Sequence, residues 1–235
     1  MEIGGGTGVL TGALAKAGAE VVSIERDPLL AAQLETRFGE HGRVEIVRGD
    51  AAGYEWPARP FTVLANLPFA GSGAILAHLL GNPRTPLRRA HVIVQWQLAA
   101  RHAAVWPSTL RSTYWRAWYD LSIGRRLART AFAPPPGVDG AVLRLERRAR
   151  PRVPVSSHAA YRRFLAAAFA ARAPIRAVLS PSLSPRRLKR LAPALGFAVD
   201  ARAWDLDAEQ WARLYAASRY ELDSASRTKR RTSSR

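Results

Sequence analysis

The stretch Glu2-Ile3-Gly4-Gly5-Gly6-Thr7-Gly8 stands where a strand end would turn into a helix. Glycines at 4, 6 and 8 permit tight turning and a close approach of a ligand to the main chain. A dinucleotide fingerprint would require glycine at position 9, where Val9 stands, so the loop suits a ligand without a pyrophosphate. The next apolar run ends at Glu25, 17 residues after Gly8, and a carboxylate there can accept hydrogen bonds from both hydroxyls of a ribose. A third run ends Val47-Arg48-Gly49-Asp50, where Asp50 can accept from an adenine amino group. A glycine loop followed by carboxylates at two further strand ends describes an S-adenosylmethionine site. Its expected cofactor-binding residues are Glu2, Gly4, Gly6, Gly8, Glu25, Asp50 and, from the next motif, Asn66.

That motif is Asn66-Leu67-Pro68-Phe69, at the end of a fourth apolar run. An aromatic amine such as adenine N6 is a poor nucleophile, because its lone pair is delocalised into the ring. Two acceptors holding its hydrogens can pyramidalise the nitrogen and aim the lone pair at a sulfonium methyl. The Asn66 side-chain oxygen and the Leu67 carbonyl can be those acceptors. Pro68 fixes the backbone and brings no competing N–H, and Phe69 can stack on an extruded base. Alignment and electrostatics then replace a strong general base. A strand followed by an ordinary X-Pro turn would look the same locally; the three strand ends before it favour the chemistry.

Positioning such a site requires strands and helices in alternation. Strands are predicted at Ala19–Ile24, Val44–Val47, Phe61–Ala65, His91–Trp96, Tyr119–Ile123 and Ala141–Glu146, mostly as continuous apolar runs suited to burial on both faces. Helices are predicted at Val9–Ala17, Pro28–Phe38 and Gly73–Leu80. The fold class is α/β: a Rossmann-like methyltransferase sheet over residues 1–148, with a small all-helical domain over 155–220. A charged, proline-bearing linker around Arg147–Pro154 separates them. Within the second domain, Ser157 is expected to cap a helix carrying Tyr161, Phe164, Leu165, Ala168 and Phe169 on one face. Pro185–Leu195 forms a helix with a basic face, and Asp207 with Gln210 makes a capping box before Trp211, Leu214 and Tyr215. Residues 221–235 read as a basic tail without regular structure.

Charge points to the partner. The 235 residues carry a formal net charge of +18, and lysine occurs only at Lys16, Lys189 and Lys229, so 33 of the 36 basic residues are arginine. A GC-rich coding bias accounts for the arginine-to-lysine ratio but not for the net charge. Arginine matches phosphate bidentately and stacks on bases, so nucleic acid is the favoured partner. A 48% hydrophobic share with seven Trp, seven Phe and six Tyr excludes global disorder. The lack of cysteine excludes disulfides, thiolate metal sites and a thiol nucleophile. No signal peptide or membrane span is apparent, which points to the cytoplasm and to no membrane partner. The five histidines have no metal spacing, so no metal is expected.

With these motifs the chain resembles the rRNA adenine N6-methyltransferases, which include the Erm macrolide-resistance enzymes and the small-subunit dimethyladenosine transferases. The matching stretch runs from Glu2 to about Tyr220. Phe132-Ala133-Pro134-Pro135-Pro136-Gly137-Val138-Asp139 resembles the family's F-x-P-x-P-x-V motif, which implies Phe132 as a second ring against the target adenine. The alternative for Phe132 is a core position in the loop before the last hairpin. Gln95–Arg101, Ser108–Leu110 and Trp115–Asp120 are similar to actinomycete-type Erm enzymes. The resemblance implies methylation of an adenine N6 in the peptidyl-transferase loop of 23S rRNA, and with it resistance to macrolides, lincosamides and streptogramin B. A 16S rRNA dimethyltransferase is the alternative enzyme, and a non-catalytic RNA-binding relic the alternative from another class; DNA adenine methylation is a weaker option. The chain is expected to act as a monomer. Family members carry an upstream Q-N-F or Q-H-F segment and a longer first strand. The chain is therefore expected to be truncated at its start, with Met1 in place of a valine encoded by an internal GTG.

Two stretches keep two readings each. Trp106–Tyr119, with Arg111 and Arg116 interleaved, suits either unstacked bases or a core, and the core is at least as good for Trp115 and Trp118. The basic helix Arg186–Arg190 and the tail from Arg227 suit either solvent or RNA phosphates, with RNA preferred.

Overall fold

Apolar side chains in continuous runs make buried parallel strands, and those runs set the sheet. The computed structural model describes the backbone of residues 1–232 and side chains through Glu221; the end of the expected basic tail, residues 233–235, lies outside the described residues. The chain divides into two compact units: Met1–Ala103 with Tyr119–Arg148, and Ala104–Trp118 with 149–235.

The first unit holds β1 (Glu2–Ile3), α1 (Val9–Lys16), β2 (Val21–Glu25), α2 (Pro28–Phe38), β3 (Val44–Arg48), β4 (Phe61–Asn66), α3 (Ser72–Gly81), β5 (Leu87–Gln95), α4 (Trp96–Ala103), β6 (Tyr119–Leu127) and β7 (Gly140–Arg147). Its seven-stranded sheet has the order β3-β2-β1-β4-β5-β7-β6. The first five strands are parallel, and β7 runs antiparallel between β5 and β6. All six predicted strands are present, each within a few residues of its expected bounds. The bounds move most, by four residues, at the end of β6, which reaches Leu127, and at the start of β5, which begins at Leu87 and ends at Gln95, where Trp96 opens α4 instead of closing the strand.

Helix α2 shows how local chemistry fixes an element. Asp27 Oδ1 accepts from the Leu29 and Leu30 N–H groups, Pro28 occupies the first turn, and Ala31, Leu34 and Phe38 turn inward. The core centres on Val63, Leu76, Leu79, Val92, Val94 and Leu143, all fully buried. Arg147, expected in the linker, instead closes this unit. Its guanidinium donates to the Leu87 carbonyl at 2.7 Å and to Tyr119 Oη at 2.7 Å, and lies over the Tyr119 ring.

The second unit is helical, with α5 (Leu110–Trp115), α6 (His158–Ala171), α7 (Ile175–Val178), α8 (Pro185–Ala194) and α9 (Ala208–Thr232). Inclusion of 104–118 corrects the expectation of a continuous catalytic domain over 1–148. Its rings explain the membership. Trp118 donates from Nε1 to the Val153 carbonyl at 2.9 Å and packs edge-on to Tyr114 and Tyr161. The Asp207–Gln210 capping box forms as predicted, each backbone N–H donating to the other's side chain at 2.8 Å. Ser157 does not cap α6; its hydroxyl accepts from Arg219 instead. Helix α9 continues through Thr232, where a tail without regular structure is expected from residue 221. Extending an existing helix needs no new nucleus, and Glu, Leu, Ala, Arg and Lys are all good helix formers. No helix among the described residues is long and apolar enough to cross a membrane.

Candidate active site

At the carboxyl ends of β1, β2, β3 and β4 lies a cavity of about 570 Å³, a size suited to a small-molecule cofactor. Gly4, Glu25, Asp50 and Asn66, four of the expected cofactor residues, line it together with Pro68 of the second motif. Gly4 has φ +75°, and a Cβ there would stand 3.6 Å from the Asn66 carbonyl oxygen and 3.9 Å from Pro68 Cδ. Those are ordinary contacts, so it is the positive φ, which side-chain-bearing residues rarely adopt, that calls for glycine where the loop meets the Asn66-Leu67-Pro68 turn.

Glu25 is almost fully buried and held from two sides. Gly6 N–H donates to its Oε2 at 2.9 Å and Asp27 N–H to its Oε1 at 2.8 Å. Each carboxylate oxygen keeps a second lone pair, so the group can still accept from paired hydroxyls. Gly6, also an expected cofactor residue, does not itself line the cavity; its N–H orients the Glu25 carboxylate. Asp50 is exposed, and its Oδ1 accepts from the Ala52 N–H at 2.8 Å, which fixes the carboxylate at the mouth of the site. Ile3, Ile24, Ala51 and Ile75 add apolar faces to the lining, of a kind that suits a flat heterocycle. No chemical motif in the sequence singles these four out; only their adjacency to Gly4, Glu25 and Asp50 could have found three of them.

Two expected cofactor residues are corrected. Glu2 is 1% exposed, does not line the cavity, and accepts on Oε2 from Thr11 Oγ1 at 2.5 Å and Ser23 Oγ at 2.9 Å. It lies in β1, so its side chain is a tie between α1 and β2. Gly8 also lies off the cavity. Its φ is +80°, and a Cβ would stand 2.7 Å from Phe38 Cε2 and 2.9 Å from Leu34 Cδ2. Its role is to let α2 pack against the loop, and Gly5 does the same, with Leu34 Cδ1 at 2.7 Å.

Burial pushes the Glu2 carboxyl above its ordinary value of 4.5, and the Thr11 and Ser23 hydroxyls offset this only in part. The folded chain therefore keeps this proton to higher pH than the unfolded chain, and stability falls as pH rises from 4.5 through the raised value. Glu2→Gln is expected to remove that fall. Urea midpoints of variant and parent should separate in the variant's favour as pH rises above 4.5; midpoints that track each other at every pH would contradict a strained carboxylate.

The second motif divides between side chain and backbone. Asn66 is exposed, and its carboxamide makes no hydrogen bond to another described residue. The Leu67 side chain is buried, and its N–H donates to the Ile93 carbonyl at 3.0 Å, which anchors the residue whose own carbonyl is the second expected acceptor. Phe69 and Phe132, both half-buried, meet edge-to-face with centroids 5.8 Å apart. Gly140 makes room for the Phe132 ring, because a Cβ there would come within 2.8 Å of Phe132 Cζ. By contrast, Trp115 and Trp118 are fully buried, which decides for the core between their two readings. Of the basic helix, Arg187 lies over the Tyr220 ring, while Arg186, Lys189 and Arg190 are exposed.

This strand order, with a glycine loop, a carboxylate at the end of β2 and another past β3, defines a Rossmann-like, S-adenosylmethionine-dependent methyltransferase. The family model for ribosomal RNA adenine dimethylase matches residues 1–218. Over 172 residues the chain is 35% identical to an rRNA adenine N-6-methyltransferase of Corynebacterium diphtheriae, covering 73% of this chain and 67% of that protein. Over 224 residues it is 35% identical to ribosomal RNA small subunit methyltransferase A of Synechococcus sp. (strain JA-2-3B'a(2-13)), covering 91% and 78%. Among solved structures, the 23S rRNA methyltransferase ErmE superposes with a TM-score of 0.79 at 27% identity, covering 92% of this chain and 88% of that one. The chain belongs to the ribosomal RNA adenine dimethylase family, and is an rRNA adenine N6-methyltransferase.

Proposed function

We propose that the chain methylates N6 of an adenine in the peptidyl-transferase loop of 23S rRNA, and so confers resistance to macrolides, lincosamides and streptogramin B. The observation that carries the chemistry is the exposed Asn66 carboxamide at the cavity edge, on the turn that also bears Phe69. The likeness to ErmE supports 23S rRNA as the substrate. S-adenosylmethionine, when bound, supplies an electrophilic methyl on a sulfonium. Glu25 would hold its ribose hydroxyls, Asp50 its adenine amine, and the Gly4 backbone would let it lie close to β1.

On the substrate side, Asn66 Oδ1 and the Leu67 carbonyl take the two N6 hydrogens in hydrogen bonds. That draws the lone pair out of conjugation and orients it. Phe69 and Phe132 receive the extruded base, so its unstacking is compensated by ring contacts. No general base is required, because the proton becomes acidic once N6 carries the new methyl and positive charge.

The Synechococcus relative, named for the small subunit, favours a second reading as a 16S rRNA dimethyltransferase. Transfer of labelled methyl from S-adenosylmethionine to protein-free 23S and 16S rRNA separates the two. We expect label in 23S rRNA, mapping to one adenine N6 of the peptidyl-transferase loop. Label confined to 16S rRNA would reverse the assignment, and label in neither would leave an RNA-binding relic.

A further inference from the structure

We propose that Arg126, held over the Trp96 ring, is a stacking platform for an unpaired RNA base neighbouring the target adenine. The inference rests on the reading of RNA as substrate and adds a recognition element that the methyl-transfer chemistry does not use. Along β6 the pairing with β7 is regular up to Ile123↔Leu143, then slips by one residue so that Arg126 pairs with Ala141. Paired residues of antiparallel strands share a face. Without the slip, Arg126 would point with Ser122 to the face of Gly140 and Val142; with it, Arg126 joins the face of Ala141 and Leu143. There it meets Trp96, the first residue of α4.

The guanidinium carbon stands 4.6 Å from the Trp96 ring centroid. One edge is pinned as well, Nε and Nη2 donating to Asp139 Oδ2 at 3.0 and 2.8 Å. Asp139 is itself anchored, accepting from the Arg129 N–H on Oδ1 at 3.0 Å and from the Trp96 N–H on its carbonyl at 2.9 Å. The Arg126 side chain is nonetheless 57% exposed, so it stays accessible to a ligand while Trp96 and Asp139 hold it. A guanidinium already fixed on two sides loses little further freedom on binding, and its free plane matches the face of a base. The neighbourhood suits a polyanion, since residues 121–139 carry Arg125, Arg126 and Arg129 against the single acid Asp139. Asp139, which holds Arg126, directly precedes Gly140, the residue whose bare backbone seats the Phe132 ring assigned to the target base.

The test is equilibrium binding of the full chain to a single-stranded RNA oligonucleotide containing 2-aminopurine, read by fluorescence across salt concentrations. Stacking of a base on such a surface is sequence-tolerant, and its loss costs affinity about tenfold. Arg126→Lys keeps the charge but not the plane. It should therefore lose about tenfold in affinity with an unchanged salt slope, and the 2-aminopurine quenching seen with the parent should diminish. Parental affinity and quenching in Arg126→Lys would overturn the proposal. So would an effect seen only in Arg126→Ala with a salt slope shallower by about one, which marks a phosphate contact. Because binding is read without methyl transfer, failure to methylate 23S rRNA would reject the proposed substrate and leave this result standing.

Discussion

Asn66→Ala should abolish methyl transfer while leaving both ligands bound. Removing one preorganised group aimed at developing charge costs about 10²–10³ in kcat, and here the lost oxygen also aligns the nucleophile, so the upper end is expected. The exposed carboxamide carries no fold contact among the described residues, and its neighbour Leu67 keeps its own backbone tie to Ile93. KM for RNA and for S-adenosylmethionine should therefore move less than kcat, and the thermal midpoint should stay put. A variant that loses RNA affinity in proportion to rate would show Asn66 to be a binding residue with no special claim on the transition state.

Trp118→Ala should have its effect in stability and not in RNA binding. The residue is fully buried, donates to the Val153 carbonyl at 2.9 Å, and contacts the Tyr114 and Tyr161 rings. Truncation of a buried tryptophan costs roughly 3–5 kcal/mol, and the Val153 carbonyl also loses its partner. Urea unfolding should show that loss, while the folded fraction at low temperature should bind an RNA oligonucleotide with parental affinity. An unchanged unfolding midpoint with weakened RNA binding would restore the alternative reading of the Trp106–Tyr119 stretch as a base-stacking surface.

Much of this arrangement is legible in the sequence because parallel strands buried on both faces leave continuous apolar runs. Phe61–Ala65 is such a run, and its end places Asn66. Glu25 and Asp50 are legible for the same reason, since Glu25 follows directly on a run and Asp50 comes three residues past the end of the next one. Glu2 is not, because a carboxylate beside a glycine loop looks identical whether it faces a ligand or, as here, a pair of hydroxyls inside the fold. Gly8 misleads similarly, for its positive φ and its contact with Phe38 serve packing, and the string of glycines does not say which of them a ligand approaches. Helix α4 escapes notice because Gln95-Trp96-Gln97 follows without a break on an apolar strand. The register slip in β6 has no clear mark beyond Gly124, so the face taken by Arg126 could be known only from the pairing.

The two units are not consecutive in the chain, because residues 104–118 belong with 149–235. As the polypeptide is synthesised, the aromatic segment ending at Trp118 emerges before the strands that finish the sheet, and long before the helices that will cover it. Tyr114, Trp115 and Trp118 must therefore wait, uncovered, until α6 and α9 exist. The sheet, for its part, closes only after the chain has returned from that excursion. Neither unit is available as a contiguous fragment: ending the chain at Arg148 would complete all seven strands yet strand three large rings without their partners. Such a fragment would expose a cluster of large aromatic rings, which makes it an aggregation hazard.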